Sequence, residues 1–407
     1  MKTLYFILVL LVSLTSALVA QIPPDTLWTK TFGGNESEWA SSVQQTTDGG
    51  YIIAGGTWSY GAGESDFWLV KTDENGNEEW NQTYGGSNSD NANSVQQTTD
   101  GGYIIAGFTY SYGAGESDFW LIKTDENGNV EWDQTYGGSD YDFANSVQQT
   151  TDGGYIVAGS TGSIEVAFWL VKTDENGNEE WNQTYNVGFM SYAYSVQQTT
   201  DGGYIVAGET DSDFWLVKID ENGNGEWMQI YGGNESEWAS SVQQTTDGGY
   251  IIAGGTWSYG AGESDFWLVK TDENGNEEWN QTYGGSDYDS ANSVQQTTDG
   301  GYIVAGHISS WVSDDDFWLI KTDENGNVEW DQTYGGYDSD NANSVQQTTD
   351  GGYIVAGFTE SYGSGSKDVW LLKFAPEGSP YNPPQNLFVT ELGYATWEAP
   401  EGAAVFT

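Results

Sequence analysis

The chain has no cysteine and no arginine, a single histidine, and ten lysines against 61 acidic residues. Without cysteine there is no disulfide framework, no thiolate chemistry and no thiol-linked lipid anchor. With no arginine and a formal charge of −51, no basic patch remains to meet phosphate backbones or anionic bilayers. Nucleic acid and anionic membrane surfaces are therefore poor partners, and neither nucleic-acid binding nor membrane insertion is expected. Such an acid excess suits a cation-rich medium and otherwise serves as a solubilising surface. Helical periodicity is missing between Trp28 and Phe374, and no segment there is long and apolar enough to span a bilayer. The lone His307 has no second His or Cys for a transition-metal site and no nucleophile beside it, so it reads as a surface residue.

In place of these features the chain has repetition. The string Ser-Val-Gln-Gln-Thr-Thr-Asp-Gly-Gly-Tyr-Ile starts at Ser42, Ser94, Ser146, Ser195, Ser241, Ser293 and Ser344, at spacings of 46–52 residues. A unit of that size cannot bury its own core and must stack on its neighbours. In the first unit Ser42–Thr46 and Tyr51–Thr57 read as strands joined by the Asp48-Gly49-Gly50 turn. Asp66–Thr72 reads as a third strand, and an Asn75-Gly76 hairpin turn leads into a fourth, Glu79–Tyr84. Four antiparallel strands per repeat predict a propeller blade. The count is out of phase at the ends: Leu27–Phe32 matches a fourth strand, and the last repeat stops after its third, Val369–Phe374. The expected fold is all-β, a closed seven-bladed β-propeller over residues 25–374, with the N-terminal strand completing the last blade.

The repeated side chains have expected places in that ring. Tryptophans at two strand positions, typified by Trp68 and Trp80, should pack between blades. Seven lysines typified by Lys71 should be charge partners of the acidic turns. Gln44 and Gln45 lie on the strand that lines the central channel, where alternation points one inward and the other into blade packing. Satisfied structural hydrogen bonding is the expectation for them, ahead of a ligand role.

The ends read differently. Residues 1–20 carry Lys2 and an apolar run, Leu4–Leu14, and read as a secretory signal peptide. Residues 375–384 read as a linker. Residues 385–407 look like the opening strands of a fibronectin type III module, which needs ~90–100 residues. A monomeric propeller within a longer multi-module chain is the expected organisation.

The loops joining strand four to one and strand two to three should share one face, and there the repeats differ. Aromatics interleaved with Ser, Asn, Asp and Gly make a recognition surface. The candidates are Trp39, Trp58, Tyr60, Tyr110, Tyr112, Tyr141, Trp238, Trp257, Tyr259, Tyr288 and Trp311. Residues 33–87 and 232–286 are identical, so blades one and five should present equivalent sites. The carboxylate pairs Asp140/Asp142 and Asp287/Asp289 are candidate calcium ligands. Paired carboxylates also serve glycoside hydrolysis at the right separation. No catalytic residue and no other cofactor is assigned.

The stretch Thr135-Tyr-Gly-Gly-Ser-Asp-Tyr-Asp-Phe-Ala-Asn-Ser-Val, followed by Asp152-Gly-Gly-Tyr-Ile-Val-Ala-Gly-Ser-Thr161, resembles the bacterial SBBP-type β-propeller repeat. The resemblance covers Trp28–Phe374 and implies a secreted or surface-attached protein with no general catalytic signature. Asn186-Val187-Gly188 departs from its usual Gly-Gly. Asp73-x-x-Gly76-x-x-x-Trp80 also looks like the Asp box of sialidases and the tryptophan-docking motif of quinoprotein dehydrogenases. Its spacing fits neither, and sialidases need an arginine cluster. The functional expectation is a secreted or cell-surface, non-enzymatic binding or adhesion module for a glycan or protein surface. The alternatives are a structural spacer in an adhesin-like protein and a polysaccharide-active enzyme.

Overall fold

The computed structural model describes residues 22–162, 165–186, 188, 190–309, 314–379, 388–389 and 395–396. Among these residues the chain forms seven four-stranded antiparallel sheets, with no helix. Blade one runs Glu38–Gln45, Tyr51–Thr57, Asp66–Thr72 and Glu78–Tyr84 from the central channel outward. The two middle strands have the expected bounds. The inner strand starts earlier than expected, at Glu38, because a bulge between Ala40 and Ser42 resets its register and hides the alternation. Both middle strands are buried along their whole length, covered by a neighbouring blade on each side, so they read as continuous apolar runs.

Adjacent blades are held by repeated aromatic contacts. Phe67 packs on Trp120 of the next blade at 4.8 Å between ring centroids, and Phe119 on Trp169 at 4.6 Å. The outer-strand Trp80 packs on Tyr103 of the next blade at 5.9 Å, while the Tyr84 hydroxyl donates to the Gly128 carbonyl there at 2.7 Å. Gly128 belongs to an Asp-Glu-Asn-Gly-Asn turn. Its φ is +77°, and a Cβ on it would lie 2.9 Å from Trp80. Glycine serves both the left-handed turn and the close approach. The Asp-x-x-Gly-x-x-x-Trp spacing thus joins a turn that the preceding blade caps to a tryptophan that caps the turn of the next.

The repeated Ser-Val-Gln-Gln-Thr string forms three rings of seven hydrogen bonds between inner strands. Ser42 Oγ accepts from Val95 N–H at 3.3 Å, Gln44 Oε1 from Gln97 N–H at 2.6 Å, and Gln97 Oε1 in return from Thr47 N–H at 2.9 Å. The same three bonds recur at every junction, including that of the last blade with the first, where Gln346 Oε1 accepts from Gln45 N–H at 2.6 Å. The inner strands' edge donors are satisfied by neighbouring side chains, as buried backbone groups require. The channel inside them, about 240 Å³, is lined by the Val43- and Gln44-type side chains.

Closure follows the expected arithmetic. Thr26–Phe32 pairs antiparallel with Asp368–Phe374, and Trp28 packs on Tyr51 of blade one at 5.8 Å. The lysines are buried charge partners: Lys71 Nζ lies 2.9 Å from Asp48 and 2.8 Å from Glu79. Burial raises the Asp48 pKa, but hydrogen bonds from Thr46 and Lys71 outweigh it and hold the group at about 2. In the closing blade Lys373 meets Asp350, and Leu27 stands where the other outer strands carry glutamate.

The signal-peptide reading of residues 1–20 lies outside the described residues. So do Trp311, part of the linker, and most of the fibronectin-like segment, of which Phe388–Val389 pairs with Ala395–Thr396.

Candidate binding face

Each blade lifts two loops to one face, and in every blade but the fourth, where Ser191 stands instead, an acid at the head of the inner strand fixes them. In blade one this acid is Glu38, fully buried. Its Oε2 accepts from Gly34 N–H at 2.7 Å, and its Oε1 accepts from the Thr57 hydroxyl at 2.9 Å and Ser59 N–H at 3.0 Å. The backbone adds Trp58 N–H to the Ser37 carbonyl at 3.0 Å. The two loops are therefore one rigid unit, and what projects from it is preset.

Several candidates serve that unit. Tyr60, Tyr112 and Tyr259 each lie on the third-strand tryptophan of their own blade, at 5.6, 5.1 and 5.3 Å between ring centroids. Their hydroxyls donate to the Gly33, Gly85 and Gly232 carbonyls at 3.0, 2.8 and 2.8 Å. Tyr362, not singled out from sequence, does the same in the last blade. Trp39 and Trp238 lie flat on Gly56 and Gly255 across the hairpin, and a Cβ on either glycine would lie about 2 Å from the indole.

Other aromatics meet across blade junctions. Between blades two and three, Tyr110 approaches Tyr141 at 6.4 Å and Phe143 at 6.5 Å, and Phe108 meets Phe143 edge-on at 4.8 Å. Burial and the neighbouring Tyr141 push the Tyr110 pKa up. Between blades five and six, Trp257 meets Tyr288 at 5.3 Å, also edge-on. Both clusters keep solvent-exposed rings, Tyr141, Trp257 and Tyr288 among them. Phe108 and Phe143 are not among the sequence candidates. Their signal was variability: position 108 carries Gly, Phe, Ser, Glu, Gly, His and Phe across the seven repeats.

The expected equivalence of blades one and five stops at their borders. Trp58 and Trp257 sit in identical segments, but Ser89 stands where Tyr288 stands. Trp58 is left 52% exposed, against 39% for Trp257.

The carboxylate pairs split into different environments. Asp142 and Asp289 head inner strands, are buried, and accept from Gly138 N–H at 2.9 Å and Gly285 N–H at 2.7 Å. Asp140 is exposed and Asp287 partly exposed, beside Tyr141 and Tyr288. The buried members hold loops by the same bond Glu38 makes. His307 also departs from expectation: it is partly buried, and its Nδ1 lies 2.9 Å from Asn341 Nδ2 of the next blade. Burial lowers its pKa.

On the opposite face, Asp299, Glu329 and Glu377 form the acidic cluster close enough to hold a metal among the described residues. Lys321 Nζ already lies 2.9 Å from Asp299 and 2.8 Å from Glu329. Glu377 accepts from Trp330 Nε1 at 3.1 Å and from the Tyr353 hydroxyl at 2.6 Å. A lysine and two aromatic donors occupy the place of an ion.

No family model matches the chain, and no curated protein matches it. Solved structures do match in fold. The chain resembles the Neurospora crassa Pan2 WD40 domain at 10% identity and a TM-score of 0.52, covering 84% of this chain and 97% of that one. It resembles BBS1N, solved in complex with ARL6DN, at 8% identity and 0.53, covering 88% and 99%. YCF48, solved bound to D1 peptide, matches at 12% and 0.50, covering 89% and 100%. The chain is a seven-bladed β-propeller, a common binding and scaffold fold that does not by itself name a function.

Proposed function

We propose that this propeller is a secreted or cell-surface, non-enzymatic binding module that engages a protein or glycan surface through the face carrying the Tyr110–Tyr141 and Trp257–Tyr288 clusters. The observation behind this reading is that repeated side chains are spent on holding the ring. The divergent aromatics converge across two junctions on one face. Rigid aromatic rings rimmed by Ser, Asn and Asp provide contact area at low entropic cost. That BBS1N and YCF48 were solved with a protein or peptide partner favours a protein surface. Secretion, a longer multi-module chain with a fibronectin type III-like module after the propeller, and kinship with SBBP-type repeats form part of the same proposal. Calcium belongs, in the same proposal, at Asp140 and Asp287, beside the aromatics.

The test is to probe arrays of immobilised glycans and of extracellular proteins with the purified chain. Saturable binding to a defined class supports the module. Absence of binding on both arrays favours a structural spacer, and turnover of an arrayed polysaccharide overturns the non-enzymatic reading.

A further inference from the structure

Six of the seven blade junctions place a pair of carboxyl groups around one glycine, both buried except that Asp213 and Asp316 are partly exposed. In the first, Asp66 heads the third strand of blade one and is 1% exposed. Its Oδ2 accepts from Ala62 N–H at 2.7 Å, and its Oδ1 has no partner. That Oδ1 and Asp90 Oδ2, from blade two, lie 1.7 and 2.9 Å from where a Cβ on Gly85 would stand. Asp90 is fully buried and engaged, with Gly86 N–H on Oδ2 at 2.8 Å and the Thr109 hydroxyl and Ser111 N–H on Oδ1. Glycines 137, 232, 284, 335 and 33 stand in the same way between Asp118 and Asp142, Asp213 and Glu237, Asp265 and Asp289, Asp316 and Asp340, and Asp368 and Glu38.

The seventh junction is an internal control. Between blades three and four, Ala167 and Ser191 replace the two acids, and Asn186 replaces the glycine. Ser191 Oγ instead shares a hydrogen bond with Thr210 Oγ1 at 3.0 Å. Both acids and the glycine are lost together, so the three act as one unit.

Two like charges so close, and out of water, cannot both persist without a cation. The repeat's lysines lie at the other end of the third strand. Lys367, next to Asp368, pairs with Glu360 at 3.0 Å. The other titratable groups facing the pairs are the hydroxyls of Tyr60, Tyr112, Tyr259 and Tyr362, with Asp211 beside Asp213 and Asp287 beside Asp289. A calcium ion asks for six to eight oxygens, whereas most oxygens of the Asp66–Asp90 pair already face N–H or O–H donors, and the glycine backbone fills the space between them.

We propose that each junction pair shares one proton, held between the third-strand acid and the inner-strand acid of the next blade, so that the ring is an acid-stabilised structure whose junctions loosen as that proton leaves. Burial and then Asp90 push the Asp66 pKa up to about 6, and burial also raises Asp289 to about 6. Asp118, Asp213 and Asp265 are raised as well, by burial first. The proton belongs to the pair, not to one member. Because the folded-state pKa lies above the unfolded value, the stabilisation is complete below the ordinary carboxylate pKa. It is lost as pH rises through about 6.

Thermal unfolding between pH 5 and 8, in EDTA and separately in calcium, tests this. The expected result is a melting temperature that falls by about 10 °C over that range, equally in both media. The triple variant D66N/D118N/D265N, whose amides imitate the protonated acid, should lose about half of that fall and melt higher than the parent at pH 8. If the variant does not fold, infrared difference spectra of the parent between pH 5 and 8 decide the matter, through the band of a protonated carboxyl. A pH-independent melting temperature, no such band, or a calcium-dependent rise at pH 8 that EDTA abolishes would overturn the proposal.

Discussion

Trp215 is buried, and its indole N–H has no acceptor. At the same place in other blades, Trp68, Trp169 and Trp267 donate to Asn81, Asn182 and Asn280, while Trp120 and Trp318 donate to Asp133 and Asp331, all at 3.1–3.3 Å. Met228 stands where those acceptors stand. A buried unpaired donor costs about 1–3 kcal/mol. M228N should therefore stabilise the chain by about 1 kcal/mol, and its melting temperature should rise by about 2 °C. Calorimetry of parent and variant checks this, and an unchanged or lower melting temperature contradicts it. At this scale much was legible from sequence: the Lys71-type and Trp68-type residues do what repetition implies, because a side chain kept at every repeat is one that every junction needs. That Tyr60, Tyr112 and Tyr259 also tie the loops together was not legible, for the complementary reason. Their partners are backbone carbonyls of glycines in another loop, and a hydroxyl-to-carbonyl contact across 27 residues leaves no side-chain signature.

Among the elements, the N-terminal strand carries the closure. Thr26–Phe32 covers the edge of Asp368–Phe374 and brings Trp28 onto Tyr51. Deleting residues 22–32 exposes a sheet edge and part of the blade-one interface. The truncated chain should melt lower by about 10 °C or more and aggregate on heating. Circular dichroism and light scattering on the same heating ramp measure both, and an unchanged melting temperature rules out the closed ring. The strand order was readable because the phase mismatch of the two ends is a counting argument that needs no coordinates. The start of the inner strand was not, since the bulge at Ala40/Ser42 breaks the period-2 pattern. The loops were half legible. Their variability marked the face, but which aromatics meet depends on the neighbouring blade, and identical segments diverge in exposure because Ser89 and Tyr288 differ.

Across the whole molecule, repeated residues bind blade to blade and divergent ones are left to face outward on one side. Matches at 8–12% identity fix the architecture, so the ligand must be argued from this chain's own surface. The most direct test compares a four-residue and a two-residue variant on the surface that the arrays identify. One is Y110A/Y141A/W257A/Y288A, which strips both junction clusters. The other is E74A/E126A, which alters exposed turns on the opposite face. With melting temperatures close to the parent's, the first should bind at least about tenfold more weakly, and the second should bind as the parent does. Full binding by the first variant, or equal loss in both, would contradict a recognition site built from the divergent aromatics.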